Sequence, residues 1–245
     1  MEIGIIGVGQ IGSTLALKLG AAGHSIKLAN SRAPDTLAAL ASKIGASAAS
    51  ALDAVKDVGV VIISIPQKGI SLLPRGLFVG VPEDVVVVDT GNYYPGYRDD
   101  PVEAIERGAA ESRWVAQELR RPVVKAFNSI TAHSLANEGR PSGASGRIAL
   151  PVSGDDADAK SLVMSLVDAI GFDGVDAGNL DDSWRQQPGT PVYCTDYDAE
   201  GVRQALARAD RSRAPELRDL RVQKMAELPV GFDPRDLVNL ARAAF

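Results

Sequence analysis

A glycine-rich turn near the start of the chain constrains its fold more than any other feature. The turn reads Gly7-Val8-Gly9-Gln10-Ile11-Gly12, which is the pattern G-x-G-x-x-G. It follows an apolar run at 2–6, opens a helical pattern at 10–22 and lies within a strand–helix–strand unit of about thirty residues. In that context the first glycine permits a tight turn, the second lets a pyrophosphate approach the backbone, and the third lets helix and strand pack closely. The pattern therefore predicts a dinucleotide site of the Rossmann type.

The end of the second predicted strand indicates which dinucleotide binds. A chain that binds NAD usually has Asp or Glu there, and this carboxylate binds the ribose 2′-hydroxyl. This chain has Asn30-Ser31-Arg32 instead. Arg32 can make a charge-assisted contact to a 2′-phosphate, and Ser31 adds a hydroxyl donor. A hydrogen bond to a charged group contributes on the order of 1.5–3 kcal/mol, so these residues predict roughly a ten- to hundredfold preference for NADP(H).

Apolar, strand-length runs alternate with helical periodicity up to about residue 180. This alternation predicts repeated strand–helix units and an α/β fold with a doubly wound, mostly parallel sheet. The predicted strands are 2–6, 25–29, 58–64, 85–88, 123–127, 148–152 and 172–175. Asp100 and Pro101, with Glu103 after them, predict a capped helix start. We divide the chain into an NADP-binding Rossmann domain at 1–180 and a C-terminal loop with helices at 181–245, which forms an acceptor pocket or dimer contacts.

The composition narrows the possible partners and surroundings. The chain has 245 residues, a formal net charge of −5 and no long basic run, which argues against nucleic acid as a partner. Its most apolar runs have strand length, and its start lacks the features of a signal peptide, so we expect a cytoplasmic protein without a membrane segment. Cys194 is the only cysteine and there are two histidines, which predicts no disulfide within the chain and no metal site. We expect a homodimer that acts on a small molecule or coenzyme.

Four stretches of sequence carry a resemblance to a known family. They are Gly-His-Ser-Ile-Lys-Leu-Ala-Asn-Ser-Arg at 23–32, Ser64-Ile65-Pro66, Val-Lys-Ala-Phe-Asn-Ser-Ile at 124–130, and Pro-Val-Ser-Gly-Asp-Asp at 151–156 with its continuation to residue 178. Over residues 1–180 they resemble the NADP-dependent oxidoreductases that work with the deazaflavin coenzyme F-420. The chain is also similar to the cytoplasmic reductase domain of transmembrane ferric reductases, which share the fold and the Lys-Ala-Phe-Asn string.

The resemblance implies cofactor contacts along the carboxyl ends of the strands. The implied residues are Gly9, Gln10 and Ile11 at the pyrophosphate, Ser31 and Arg32 beside Asn30 at the 2′-phosphate, Ile65 and Pro66 after Ser64 at the adenosine or ribose, and Ala126, Phe127 and Asn128 near the nicotinamide. The family tends to have a basic residue at about the place of Thr36, so here Arg32 would bear more of the phosphate. The segment at 186–193 does not match the part of those enzymes that covers the deazaflavin.

No residue pattern in the sequence assigns a catalytic acid or base. A hydroxy-acid dehydrogenase needs a group that takes the hydroxyl proton, commonly His or Lys. Lys125 lies in a predicted strand and is the main candidate, whereas His133 and His24 are better interpreted as structural or surface residues. Hydride transfer between two bound cofactors needs only the alignment of donor and acceptor carbons, so the missing acid or base favours a flavin-like partner.

Three functions are therefore compatible with the sequence. The first is hydride transfer between NADPH and a deazaflavin or flavin-like acceptor, for which F-420 or a flavin would be the co-substrate. The second is NADPH-dependent reduction of a small carbonyl compound or a ferric chelate, with Lys125 or water as the proton source for a carbonyl. The third is a non-enzymatic NADP(H) redox sensor. We expect the segment at 181–197, with Trp184, Tyr193 and Tyr197, to form one wall of the acceptor pocket.

Overall fold

The computed structural model describes residues 1–245, and a six-stranded parallel sheet forms its centre. The strand order in the sheet is β3-β2-β1-β4-β5-β6. The strands are β1 Glu2–Ile6, β2 Ser25–Ala29, β3 Ser47–Ala48, β4 Val60–Ile63, β5 Val86–Asp89 and β6 Val124–Lys125. Neighbouring strands are in register, with Ile5 beside Leu28 on one side and beside Ile62 on the other. The strand order reverses between β1 and β4, which is where doubly wound sheets bind ligands.

Helices cover both faces of this sheet. They are α1 Gln10–Ala21, α2 Ala38–Ile44, α3 Ala51–Ala54, α4 Glu103–Glu106, α5 Glu111–Leu119, α6 Ala132–Asn137, α7 Ala157–Ala169, α8 Ala199–Ala207, α9 Ala214–Ala226 and α10 Asp236–Arg242. Three 3-10 helices lie at Pro34–Leu37, Gln67–Leu72 and Leu180–Gln186. No helix is both long enough and apolar enough to cross a membrane.

The two faces of the sheet form separate hydrophobic cores. A core of 25 buried residues lies on the side of α1, α2, α6 and α7, and a core of 16 lies on the side of α3 and α5. Because the strands are covered on both faces, their sequences are continuously apolar rather than alternating, as in the Val-Val-Ile-Ile of β4. The predicted α/β fold with a doubly wound, mostly parallel sheet is confirmed.

A smaller pair of strands extends the sheet. β7 Ala149–Val152 and β8 Asp173–Asp176 run parallel to each other, and an antiparallel bridge between Lys125 and Ser153 joins them to β6. Helix α8 packs on this pair and forms a third core of six buried residues. Residues just beyond 180 therefore pack directly on the strands, whereas α9 contributes no buried residue. The division of the chain at residue 180 remains a prediction.

Two local predictions were wrong, and the structure gives a physical reason for each. Helix α4 starts at Glu103 with Val102 as its N-cap, and no carboxylate caps it, because the Val102 N–H donates to the Tyr93 hydroxyl at 2.9 Å. The strand predicted at 123–127 ends at Lys125, because Phe127 adopts a left-handed conformation with φ of 59° that no strand can continue.

Candidate functional site

The glycine turn has the three different environments that the motif predicts. A Cβ atom on Gly7, whose φ is 112°, would lie 2.1 Å from the Ser64 carbonyl oxygen. A Cβ on Gly12 would lie 2.0 Å from the Gly7 carbonyl oxygen. Gly9, in contrast, has no atom within 4 Å of the place where a Cβ would be, and it is exposed. Gly7 and Gly12 therefore serve close packing, whereas Gly9 leaves open space beside the backbone.

The start of α1 presents unoccupied backbone donors to this space. Gly9 is the N-cap, so no side chain caps the helix, and the first turn contains no acidic residue. The free N–H groups and the positive end of the helix dipole favour an anion at this point. Gln10, Ile11, Ser13 and Thr14 line the adjoining cleft. The turn and helix fit the pyrophosphate of a dinucleotide.

In the segment after β2, the two side chains that are candidates for binding the 2′-phosphate make no side-chain contact that would have to break first. The Asn30 Oδ1 atom accepts a hydrogen bond of 2.8 Å from the Arg32 N–H, and this bond shapes the turn. Ser31 and Arg32 are exposed, and the Arg32 side chain forms no ion pair. The Thr36 hydroxyl donates to the Ala33 carbonyl at 2.7 Å. Asn30 therefore shapes the turn, and the Ser31 and Arg32 side chains remain available to a 2′-phosphate.

The candidate nicotinamide residues lie in the turn after β6. Asn128 is fixed there, because its Nδ2 atom donates to Asn92 Oδ1 at 3.0 Å and to the Gln186 carbonyl at 2.7 Å. In return, Asn92 Nδ2 donates to the Asn128 carbonyl at 3.0 Å, and Gln186 Nε2 donates to Asn128 Oδ1 at 3.0 Å. Phe127 and Asn128 line the cleft, whereas Ala126 is fully buried behind them.

Ser64 and Ile65 lie at the glycine turn, and Ile65 comes within 2.8 Å of the Cβ position of Gly7.

A cleft of about 1110 Å³ extends from the start of α1 past Asn92 and Asn128 to the C-terminal helices. Its lining comes from five parts of the chain, namely residues 10–14, 90–98, 127–133, 193–194 and 221–237. Of the aromatic residues predicted for its wall, Tyr193 lines it, but Trp184 and Tyr197 do not. Helices α9 and α10 provide the facing wall with Val222, Met225 and Leu237 among other residues. The cleft is thus one continuous space bounded by the sheet edge and the tail.

Sequence reasoning missed the cleft residues that follow β5 and those on α9. The string Asn92-Tyr93-Tyr94-Pro95-Gly96-Tyr97-Arg98 begins four residues after the strand predicted at 85–88, and that position was a usable signal. It supplies Asn92, Tyr94, Tyr97 and Arg98 to the cleft. No comparable signal marks Arg221, because only the folded tail brings it to the sheet edge.

Two tyrosines and the single cysteine are the titratable groups deepest in the cleft. The Tyr94 and Tyr193 hydroxyl groups lie 2.8 Å apart, and burial raises the pKa of both above the ordinary tyrosine range. Burial also raises the pKa of Cys194 to about 11. At neutral pH these groups therefore stay protonated and can donate hydrogen bonds to a ligand in the cleft.

Lys125, the main candidate for a proton source, is held away from the cleft. It is fully buried, and its Nζ atom lies 3.1 Å from Asp89 Oδ2 and donates to the Gly91 carbonyl. The Ser112 hydroxyl also donates to Asp89, at 2.7 Å. Lys125 therefore ties β5 to β6 beneath the site.

His24 lies beside the N-terminus, whereas His133 lines the cleft and contacts Asn137.

Comparisons with known proteins identify relatives of the chain. A family model described as NADP oxidoreductase coenzyme F420-dependent matches residues 2–93. The protein YjhV of Escherichia coli (strain K12) is 39% identical over 102 residues, which make up 40% of this chain and 67% of that protein.

Solved structures extend the match beyond the N-terminal region. The crystal structure of SMa0349 from Sinorhizobium meliloti is 31% identical, with a TM-score of 0.66, and the match covers 79% of this chain and 93% of that one. A structure from Arthrobacter sp. FB24, named as an F420-dependent NADP reductase, is 23% identical with a TM-score of 0.59. That match covers 74% of this chain and 86% of the other, and it shows a shared fold.

Proposed function

The chain belongs to the family of coenzyme F420-dependent NADP oxidoreductases, and from this premise we propose that it transfers hydride between NADPH and a deazaflavin or flavin-like acceptor. Membership makes it an oxidoreductase of the NAD(P)-dependent Rossmann type. The choice of NADP(H) and the class of acceptor are our proposals, and they are supported by the following features of the site.

The continuity of the cleft is the observation that carries the proposal. One space of about 1110 Å³ joins the open start of α1 to the Asn92–Asn128 pair and then to Tyr193. Pockets for a single small ligand usually have volumes of roughly 300–1000 Å³. The cleft therefore has room for the nicotinamide end of a dinucleotide together with a second planar ligand.

The protein's contribution would be positioning. Bound NADPH would supply the hydride, and the acceptor would take it up together with one proton. The α1 N-terminus binds the pyrophosphate, and the exposed Arg32 binds the 2′-phosphate. The Asn128 amide, held by Asn92 and Gln186, fixes the edge against which the nicotinamide lies. Holding the reacting carbons in contact distance accounts for the rate, because it replaces an encounter of two molecules in solution.

One observation favours a second candidate, the reduction of a small carbonyl compound. Such a reaction needs a proton donor beside the new hydroxyl group. The paired Tyr94 and Tyr193 hydroxyls lie in the cleft and stay protonated. They would replace Lys125, which the Asp89 ion pair keeps out of the cleft.

The proposal is tested by anaerobic mixing of NADPH with each class of acceptor. We expect 8-hydroxy-5-deazaflavin or FMN to oxidise NADPH one for one, whereas aldehydes and ferric chelates give little turnover. The variant Gly9→Val serves as the control without nucleotide binding. If an aldehyde is reduced and both flavins are inert, the second candidate is the function. Tight NADPH binding without oxidation by any acceptor would contradict both candidates.

A further inference from the structure

The charges around the cleft differ from those of the whole chain. The chain has 31 acidic and 26 basic side chains, Lys and Arg being counted as basic, yet no Asp or Glu lines the cleft. The cations in the lining are Arg98 and Arg221. A site that faces its ligands with cations and without carboxylates favours anionic ligands. The pyrophosphate at α1 would account for the anion at one end of the cleft.

Arg221, on α9 at the other end, has no anionic partner in the protein. Arg98 forms an ion pair of 3.1 Å with the buried Asp99, but Arg221 takes part in no ion pair. Its one hydrogen bond runs from Nη2 to the Leu237 carbonyl at 3.2 Å. Its Nε atom is buried without a partner. The Nη1 atom has no acceptor in the protein, so the guanidinium group still has a donor to offer an anionic ligand in the cleft.

The position of Arg221 is on the side of the cleft where the acceptor would lie. Its guanidinium group stacks 5.2 Å from the centre of the Tyr193 ring, whose hydroxyl meets that of Tyr94. Cys194, which follows Tyr193 in the sequence, donates its backbone N–H to the Ser129 carbonyl at 2.9 Å. Ser129 directly follows Asn128, so this cation lies near the expected nicotinamide. Apolar side chains, among them Met225, surround it.

We propose that Arg221 binds an acidic group of the acceptor, a phosphate or a carboxylate, and so selects acidic acceptors over neutral ones. The inference rests on the proposed function, because it assumes that the second ligand lies beside the nicotinamide. A planar fused ring with an acidic side chain fits both the apolar wall and the cation. The planar guanidinium group can form two parallel hydrogen bonds to such a group.

The test compares FMN with riboflavin, which differ by one phosphate, in equilibrium binding to the NADP⁺-saturated protein. We expect the wild type to bind FMN roughly tenfold more tightly or better, as a charge-assisted hydrogen bond predicts. Arg221→Gln should remove this preference by weakening FMN binding and leaving riboflavin binding unchanged, and Arg221→Lys should keep part of it. Lys224→Gln is the matched control, because Lys224 is an exposed cation on the same helix that does not line the cleft.

A purely structural role for Arg221 gives a different result. If Arg221 only fastens α9 to α10 through Leu237, Arg221→Gln should lower the melting temperature and weaken both flavins equally. That result would overturn the proposal. The proposal would also fail if the wild type bound the two flavins equally, or if it bound neither of them. A further measurement compares the binding of a carboxymethylflavin with that of FMN. Whichever of the two binds the wild type more tightly shows whether Arg221 prefers a carboxylate or a phosphate.

Turnover separates this inference from the proposed function. If the flavins show the Arg221-dependent preference but never oxidise NADPH, hydride transfer to flavins fails and the acidic subsite stands. If NADPH reduces FMN and riboflavin equally and Arg221→Gln changes neither rate nor affinity, the subsite fails and hydride transfer stands.

Discussion

At the residue scale, two glycines of the same turn have opposite requirements. A side chain on Gly12 would collide with the Gly7 carbonyl, whereas a side chain on Gly9 would enter open space. Gly9→Val should therefore fold with nearly the melting temperature of the wild type and lose NADPH binding, because the valine occupies the path of the pyrophosphate. Gly12→Ala should lower the melting temperature. Calorimetry and nucleotide titration of both variants check this, and NADPH affinity retained in Gly9→Val would contradict the placement of the cofactor.

Arg32 is the residue on which the choice of nucleotide depends. It is exposed and forms no ion pair, so it can reach a 2′-phosphate without breaking another interaction. We expect Arg32→Ala to weaken NADPH binding roughly tenfold or more and to change NADH binding little, because only NADPH carries the second phosphate. Lys43→Ala removes an exposed cation from nearby helix α2 and serves as control. Unchanged discrimination in Arg32→Ala would exclude this residue.

Glu111 makes the stability of the protein dependent on pH. Burial raises its pKa to about 8, against the attraction of Lys125, while Asp89 raises it further. Between the ordinary value of 4.5 and about 8, the folded protein keeps a proton that the unfolded chain releases. The free energy of unfolding therefore falls as pH rises through this window, and the loss is complete above it.

Glu111→Gln should remove this dependence, because the amide has no proton to lose. We expect the variant to gain on the order of 1–3 kcal/mol relative to the wild type between pH 5 and pH 8.5, since one pKa unit corresponds to about 1.4 kcal/mol. Melting temperatures measured across that range test it. The control is Glu118→Gln, an exposed position on the same helix. A constant difference between variant and wild type at all pH values would exclude a buried titrating carboxyl group.

At the scale of elements, the C-terminal segment at 181–245 divides into two parts with different structural roles. Gln186 lies buried at the junction of the strands, where it accepts a hydrogen bond of 2.7 Å from the Ser153 hydroxyl. Val202, Ala205 and Leu206 of α8 complete a hydrophobic core. Beyond α8, α9 has no buried residue and α10 has two. The first part supports the fold, and the second part mainly closes the cleft.

A chain that ends after Ser212 should distinguish the part that supports the fold from the part that closes the cleft. It keeps the third core intact but lacks α9 and α10, which form the facing wall of the cleft. We expect nearly unchanged NADPH affinity and a loss of acceptor turnover of roughly tenfold or more, because the acceptor is no longer held against the nicotinamide. Loss of NADPH binding in a folded truncated chain would show that the helices serve the cofactor instead.

The elements that could be predicted from the sequence are those whose residues repeat a simple pattern. Strands such as β4 are continuous apolar runs, and α2 ends at Gly45, whose left-handed conformation stops the helix. Helix α5 was not predicted, because it buries Glu111 and Ser112 beside Trp114, and buried polar residues break the apolar periodicity. The short β3 was missed because two residues carry no pattern.

At the scale of the whole molecule, the sequence could name candidate cofactor residues, but it could not name the residues across the cleft from them. The glycine motif and the carboxyl ends of parallel strands meet at one sheet edge in any doubly wound fold, so local strings suffice there. The residues across the cleft need α9, which begins 86 residues after Asn128, to lie against that edge. Only packing between distant segments brings Arg221 to Tyr193, and no local pattern records it. The homodimer remains a prediction.

The central claim is direct hydride transfer between two ligands held in one cleft. Its most direct test uses NADPH deuterated at C4 on one face of the nicotinamide, mixed anaerobically with the protein and oxidised 8-hydroxy-5-deazaflavin. We predict that deuterium from one face alone appears in the reduced acceptor, carbon to carbon, without exchange with solvent, and that the label slows a single turnover. Reduced deazaflavin that carries solvent hydrogen, or NADPH that binds and keeps its label, would contradict the claim.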